Sequence, residues 1–298
     1  MANVEASAVQ AVRQRTPVVV KRAPWVSLAT GAAAIAVLGL AVAVFGRSQN
    51  VQWAAIPRFM IDGPILSGIV LTLELTAAAM LIGMTLGAGL AALAVSGNPV
   101  LSAIAATFVW VFRGVPLIVQ IFFWFNIGLF VPDLAFGGLK VSINEIVTPL
   151  TAGLLALGLH ESANMSEVIR SGLLSVDAGQ HDACRALGMT RGRALVGIIL
   201  PQAIRVIVPP TGNQAIGMLK ASAIVSVIGM EDLLTQAQHI YARNFLVIEL
   251  LLVASIWYLV LTTIATVGQH YLERYFNRGF ARRVGKARVA AGGADEQL

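Results

Sequence analysis

A chain of 298 residues in which 57% of side chains are hydrophobic and 12% charged holds about half the ~25% charge of a water-soluble domain, which excludes an ordinary soluble globule. The net charge of +6 does not point to nucleic acid, because the arginines stand between or behind apolar runs and form no basic face. The lone Cys184 excludes an internal disulfide and any multi-cysteine metal site, and the four histidines (160, 181, 239 and 270) lack ligand spacing.

One bilayer crossing takes ~20 apolar residues. The first run, residues 25–46, is about 33 Å long as a helix. A signal peptide has a shorter apolar core of ~7–15 residues, so an uncleaved span is expected here. A second span covers 65–95. A third begins after Asn98-Pro99 and ends near Val131, but Gly114 and Pro116 in "FRGVP" break it. That break predicts an interfacial piece up to Phe112 and a true span from Val115. Further spans follow at 143–159, 206–230 and 245–267. The expected fold is therefore an all-α integral membrane protein, one bundle of six transmembrane helices.

Lysine and arginine orient it. With the N-terminus inside, the inner segments hold fifteen of the 21 basic residues, and the outer ones hold Arg47, Arg58, Lys140 and Arg243. This bias predicts that both termini and the 164–205 loop are cytoplasmic in a multi-pass protein of the cell membrane. Residues 1–24 form one tail, and the basic tail 271–298 is expected to be disordered. No internal repeat is visible.

The 164–205 loop contains "GQHDACRALGMTRGRALVGIILP" (179–201). Gln180 to Leu187 has no breaker and predicts a short helix, with Ala183, Ala186 and Leu187 on one face and Asp182 and Arg185 on the polar side. Gly188 occupies the C-terminal cap position, where a left-handed turn suits glycine and a side chain would block it. Pro201 should kink the helix that follows. The expected product is a knob of one helix, a sharp reversal and a second helix anchored in lipid. Composition alone also allows an amphipathic linker lying on the headgroups.

Spacing says more. Asp182-Ala183-Cys184, three residues, Gly188, nine residues, Ile198, one residue, Leu200-Pro201 resembles the EAA signature of ABC-importer permeases, with Asp182 in place of Glu and Cys184 in place of Ala. The segments "LTLELTAAAMLIGMTLGAGLAAL" (71–93), "FRGVPLIVQIFF" (112–123), "EVIRSGLLSVDAGQ" (167–180) and "LKASAIVSVIGMEDLL" (219–234) look like the permeases of polar amino-acid ABC importers. Asn164 stands where that family often has tyrosine, and Ala221-Ser222-Ala223 replaces its usual Asp-Thr-Ser. The resemblance implies a type I permease domain over 65–270 with an extra N-terminal helix at 25–46. It also implies that the knob is a coupling helix, formed by Gln180, Asp182, Ala183, Cys184, Ala186, Leu187, Gly188, Ile198, Leu200 and Pro201, that docks on a separate ABC ATPase subunit. The other implied partners are an extracytoplasmic solute-binding protein, a second permease chain, identical or not, and membrane lipid. No cofactor is implied, since the partner subunit uses the ATP.

Charges at membrane depth each cost roughly 2.5–3.5 kcal/mol and need a reason. Arg113, just before Pro116, is expected to snorkel to the cytoplasmic interface, and Glu161 to sit at the inner end of the fourth span. Glu74 and Lys220 lie equally deep, about 15 Å below the outer surface. They either pair across the translocation pathway or meet water and backbone separately. Asn213 and Gln214, after Pro209-Pro210, add polar character to the fifth span and place it nearest the pathway.

Catalytic readings fail on spacing. "GNQAIGMLKAS" (212–222) lacks the lysine directly after its second glycine that a phosphate loop needs. "HESAN" (160–164) has Asn164 where a zinc-protease helix has its second histidine, so His160 is expected to be interfacial. No serine-histidine or paired-aspartate arrangement appears. A transport subunit, not an enzyme, is expected. The alternative, a stand-alone ion-coupled secondary transporter, would favour inverted repeats and mid-membrane carboxylates, of which Glu74 alone qualifies.

Overall fold

The computed structural model describes residues 24–136 and 139–277. The chain divides into a unit up to Val51 and a unit from Gln52 onward. The first holds helix α1 (Pro24–Gly46), whose Trp25, Leu28, Ile35 and Leu38 are all exposed. The tail residues 1–23 and 278–298 lie outside the described residues.

The second unit is a helical bundle. After the short α2 (Ala55–Met60) comes α3 (Gly63–Ala94), started by the Asp62 carboxylate, which accepts from the Gly63 N–H at 3.1 Å. It runs unbroken to Val95. Asn98 caps α4 (Pro99–Gly114) by accepting from the Val100 N–H at 2.9 Å. At Val115-Pro116 the chain turns by 100° into α5 (Leu117–Phe125), the break foreseen from glycine and proline. A two-stranded antiparallel hairpin, β1 (Asp133–Phe136) and β2 (Leu139–Ser142), then precedes the one-turn α6 (Ile143–Ile146).

Helix α7 (Pro149–Leu174) departs from expectation. The run at 143–159 is not one span, because the chain opens at Val147 and restarts at a capping box in which Thr148 and Thr151 serve each other. No breaker follows until Ser175, so α7 continues through Glu161, Glu167 and Arg170. Its polar residues, among them His160, Glu161 and Asn164, keep it out of the helices that qualify as spans on apolarity.

Helix α8 (Ala178–Ala186) is followed by α9 (Arg191–Ala194), a π-turn at Leu195–Ile199, α10 (Leu200–Ala221) and a 3-10 segment, Ser222–Ile228. The fifth expected span thus begins near Arg191 rather than Val206. The π-turn lies just before Pro201 and widens the ladder where the proline ring has no N–H to give. Pro209 and Pro210 sit inside α10 without ending it. There the Gln269 amide donates to the Pro209 carbonyl at 2.8 Å. Helix α11 (Leu233–Asn244) turns sharply into α12 (Val247–Asn277).

Among the described residues, three helices are long and apolar enough to cross a bilayer: Gly63–Ala94, Arg191–Ile228 and Val247–Phe276. The bent pair α4–α5 makes a fourth if taken as one span. The expected count of six is therefore not reached by length and apolarity.

The core is a seam between α3 and α7. Ala79, Gly83, Gly87 and Ala91, spaced by four, are all buried and put a flat stripe on α3. Backbones approach so closely that a Cβ on Gly83 would lie 2.6 Å from Glu161 Cγ, and one on Gly87 would lie 3.0 Å from the Ser162 carbonyl oxygen. Gly158 returns the arrangement from α7, facing Ile82.

A second buried element ties α3, α11 and α12. Asp232, with no solvent exposure, caps α11 by accepting from the Thr235 N–H at 3.0 Å and the Thr235 hydroxyl at 2.7 Å, while the Tyr258 hydroxyl donates to its other oxygen at 3.3 Å. The Thr72 hydroxyl accepts from the Leu233 N–H at 3.2 Å. Asp232→Ala leaves Thr235 and Tyr258 donors buried without an acceptor. It is expected to destabilise the chain by about 3 kcal/mol or more, and Asp232→Asn by clearly less. Thermal unfolding of the purified chains in detergent reads the difference.

Candidate functional site

The knob is present. Asp177 starts α8, its carboxylate accepting from the Gly179 N–H at 2.8 Å. At the far end the Gly188 N–H donates to the Arg185 carbonyl and the Met189 N–H to the Cys184 carbonyl, each at 3.0 Å. These two bonds are a Schellman closure, which needs a left-handed residue. Gly188 supplies it with φ of +65°. A Cβ there would touch nothing within 4 Å, so the demand for glycine comes from the backbone angle and not from crowding.

Among the described residues the knob is held from one side. Cys184 is its buried residue, at 3% exposure. Gln180 accepts from the Gln202 amide at 3.4 Å, and that amide also donates to the Ile198 carbonyl. Val176, Ile199 and Ala203 form the small apolar cluster beneath. On the outward side Asp182, Ala183, Ala186 and Leu187 are all exposed, Leu187 at 76%. Asp182 meets Arg185 at 3.4 Å. Ile198 and Leu200 are half-buried and Pro201 exposed. An apolar patch on a capped helix is thus left without a partner among the described residues.

The corner at Val115-Pro116 is satisfied internally. The Gln120 amide donates to the freed carbonyls of Phe112 (2.9 Å) and Val115 (2.8 Å), and His160 Nδ1 approaches the Phe112 carbonyl at 3.0 Å. His160 is the twelfth of the 26 residues of α7. The histidine therefore braces the corner from mid-helix, because a broken helix needs donors there. Arg113 lies in the last turn of α4, beside that corner. Glu161, expected at the inner end of the fourth span, is the thirteenth residue of α7, because the helix runs on to Leu174; it is 2% exposed in the seam, with one carboxylate oxygen unpartnered.

Of the four expected pathway residues, Glu74, Asn213 and Lys220 are exposed and Gln214 half-buried. The ion pairs among the described residues are Arg170–Glu167 and Arg185–Asp182, so no ion pair within the chain joins Glu74 to Lys220. Neither charge is buried by its own chain.

Comparison with known proteins agrees with this architecture. Residues 81–278 match the model of the family described as binding-protein-dependent transport system inner membrane component. The chain is 37% identical over 264 residues to the arginine transport system permease protein ArgU of Corynebacterium glutamicum, covering 87% of this chain and 84% of that one. It is 30% identical to the glutamine transport system permease protein GlnP of Escherichia coli, over 74% of this chain and 94% of the relative. A crystal structure of an amino acid ABC transporter with histidines superposes with a TM-score of 0.66 at 34% identity, covering 76% of this chain and 99% of that chain. The inward-facing MetNI methionine transporter, at 17% identity and a TM-score of 0.56, shares the fold.

Proposed function

The chain belongs to the binding-protein-dependent transport system inner membrane component family, and on that premise we propose that it lines the path by which a polar amino acid or related solute enters the cell. It is a membrane permease subunit and a transport component, not an enzyme, and the stand-alone ion-coupled reading gives way. Its permease domain spans 65–270, and helix 25–46 is an additional anchor. Both termini and α8 face the cytoplasm, as the distribution of basic residues requires.

The observation that carries the proposal is the face of α8 that no described residue covers. An apolar patch on a helix closed at both ends and braced by Cys184 and Gln180 suits transmission of force, because it cannot yield locally. The occupant of Ala183, Ala186 and Leu187 is an ABC ATPase subunit, which binds and hydrolyses ATP. An extracytoplasmic solute-binding protein delivers the solute, and a second permease chain completes the bundle. Glu74, Asn213, Gln214 and Lys220 line the path. Charges left on lipid at that depth would cost roughly 2.5–3.5 kcal/mol each, so the surface that carries them is one that polar groups or water cover.

The expected result is that the chain co-isolates with an ATPase and that uptake by the reconstituted complex requires the binding protein and stops with vanadate. A panel of labelled amino acids then identifies the solute. Uptake by the chain alone, driven by an ion gradient and indifferent to vanadate, would overturn the proposal.

A further inference from the structure

Between α8 and the end of α3 lies a cavity of about 530 Å³. Among the described residues its charged lining is Arg185 and Arg191, with His181 beside them and no carboxylate. Its floor is apolar and includes Val95, Leu195 and Ile199. Arg191 makes no ion pair among the described residues, and Arg185 meets only Asp182, in a pair whose side chains are 78% and 72% exposed and which water screens. Val95 directly follows the 32-residue apolar helix α3, so the cavity lies at the end of a helix long enough to span the bilayer.

A basic rim over an apolar floor at the bilayer surface has the chemistry of a phospholipid site. We propose that this cavity binds the phosphate of an anionic phospholipid, with the guanidinium groups of Arg185 and Arg191 on the phosphate and the first acyl carbons against Val95, Leu195 and Ile199. The absence of a lining carboxylate disfavours a zwitterionic headgroup, whose ammonium would find no counter-charge. The apolar floor disfavours a free phosphate, which would leave it wet. A lipid so held couples the knob to the membrane surface, whatever solute the transporter carries.

Cys184 is the only cysteine in the chain and lines the same cavity, which makes its labelling a direct reporter. The full-length chain is placed in nanodiscs of phosphatidylcholine, with or without phosphatidylglycerol, and reacted with a small uncharged thiol reagent. Phosphatidylglycerol is expected to slow labelling by roughly thirtyfold, the effect of two basic side chains at an anionic surface. Arg185→Gln with Arg191→Gln is expected to remove the protection, and Arg243→Gln, remote from the cavity, to keep it. Equal rates in the two bilayers overturn the proposal, as does equal protection by inorganic phosphate in phosphatidylcholine alone, which marks a soluble-anion site. The wild-type comparisons need no variant, so they decide the matter even where the double substitution prevents insertion.

Discussion

Replacing Gly87 with leucine is expected to abolish accumulation of folded protein, whereas alanine at Gly89, two residues along the same helix, is expected to be neutral or mildly stabilising. A Cβ on Gly87 would lie 2.8 Å from Met165 Cβ, 3.0 Å from the Ser162 oxygen and 3.0 Å from the Ser166 nitrogen. Two of those atoms belong to the backbone of α7, so no rotamer change relieves the contact and the helices must part. Ordinary overpacking costs ~1–3 kcal/mol. A whole leucine at this seam exceeds that, because parting the helices also exposes Leu75, Ala79, Leu157 and Met165, which are packed together. A Cβ on Gly89 meets nothing within 4 Å, and alanine gains about 0.5–1 kcal/mol in helix propensity over glycine. Size-exclusion profiles and membrane yields of the two variants measure the contrast. A monodisperse Gly87→Leu protein at wild-type yield would show that the seam is not the core.

Gly188→Leu is expected to give a chain that inserts and assembles but transports about tenfold less, while ATP hydrolysis by the complex continues. The open surroundings of the glycine make this a conformational defect. A left-handed residue other than glycine costs roughly 1–2 kcal/mol, and each 1.4 kcal/mol depopulates the closed turn about tenfold. Without the Schellman bonds at Arg185 and Cys184 the end of α8 frays and the knob no longer moves as one body. Asparagine tolerates the left-handed region, so Gly188→Asn should retain most transport, which a steric requirement would not allow. Parallel uptake and ATPase assays on reconstituted complexes check both variants. Wild-type transport by the leucine variant would refute the coupling role.

Much of this was legible in the residues because it is local. Apolar length marked α3 and α12, Gly114 with Pro116 marked the corner, and a glycine after eight unbroken residues marked the left-handed cap. What escaped depends on partners far away in the chain. His160 reaches a carbonyl 48 residues earlier, and only the folded corner shows why a histidine is wanted there. Asp232 could have been read as a helix cap, but its bonds to Tyr258 and its burial could not. The extent of α7 was misjudged because hydropathy stops at its charges, while helix ends obey caps and breakers, and none intervenes before Ser175. The stripe Ala79, Gly83, Gly87, Ala91 did carry a periodic signal at intervals of four. Small residues are weak in hydropathy, so a reading based on apolar runs passes over them.

The π-turn at Leu195–Ile199 carries one more residue than an α-helical path of the same rise would use. Each α-helical residue rotates the chain by about 100°. A plain α-helix of the same residue count would therefore swing α8 through more than a quarter-circle relative to α10, pulling Gln180 off Gln202 and parting Val176 from Ile199 and Ala203. The wide turn absorbs the surplus residue and so keeps the compass bearing of the knob.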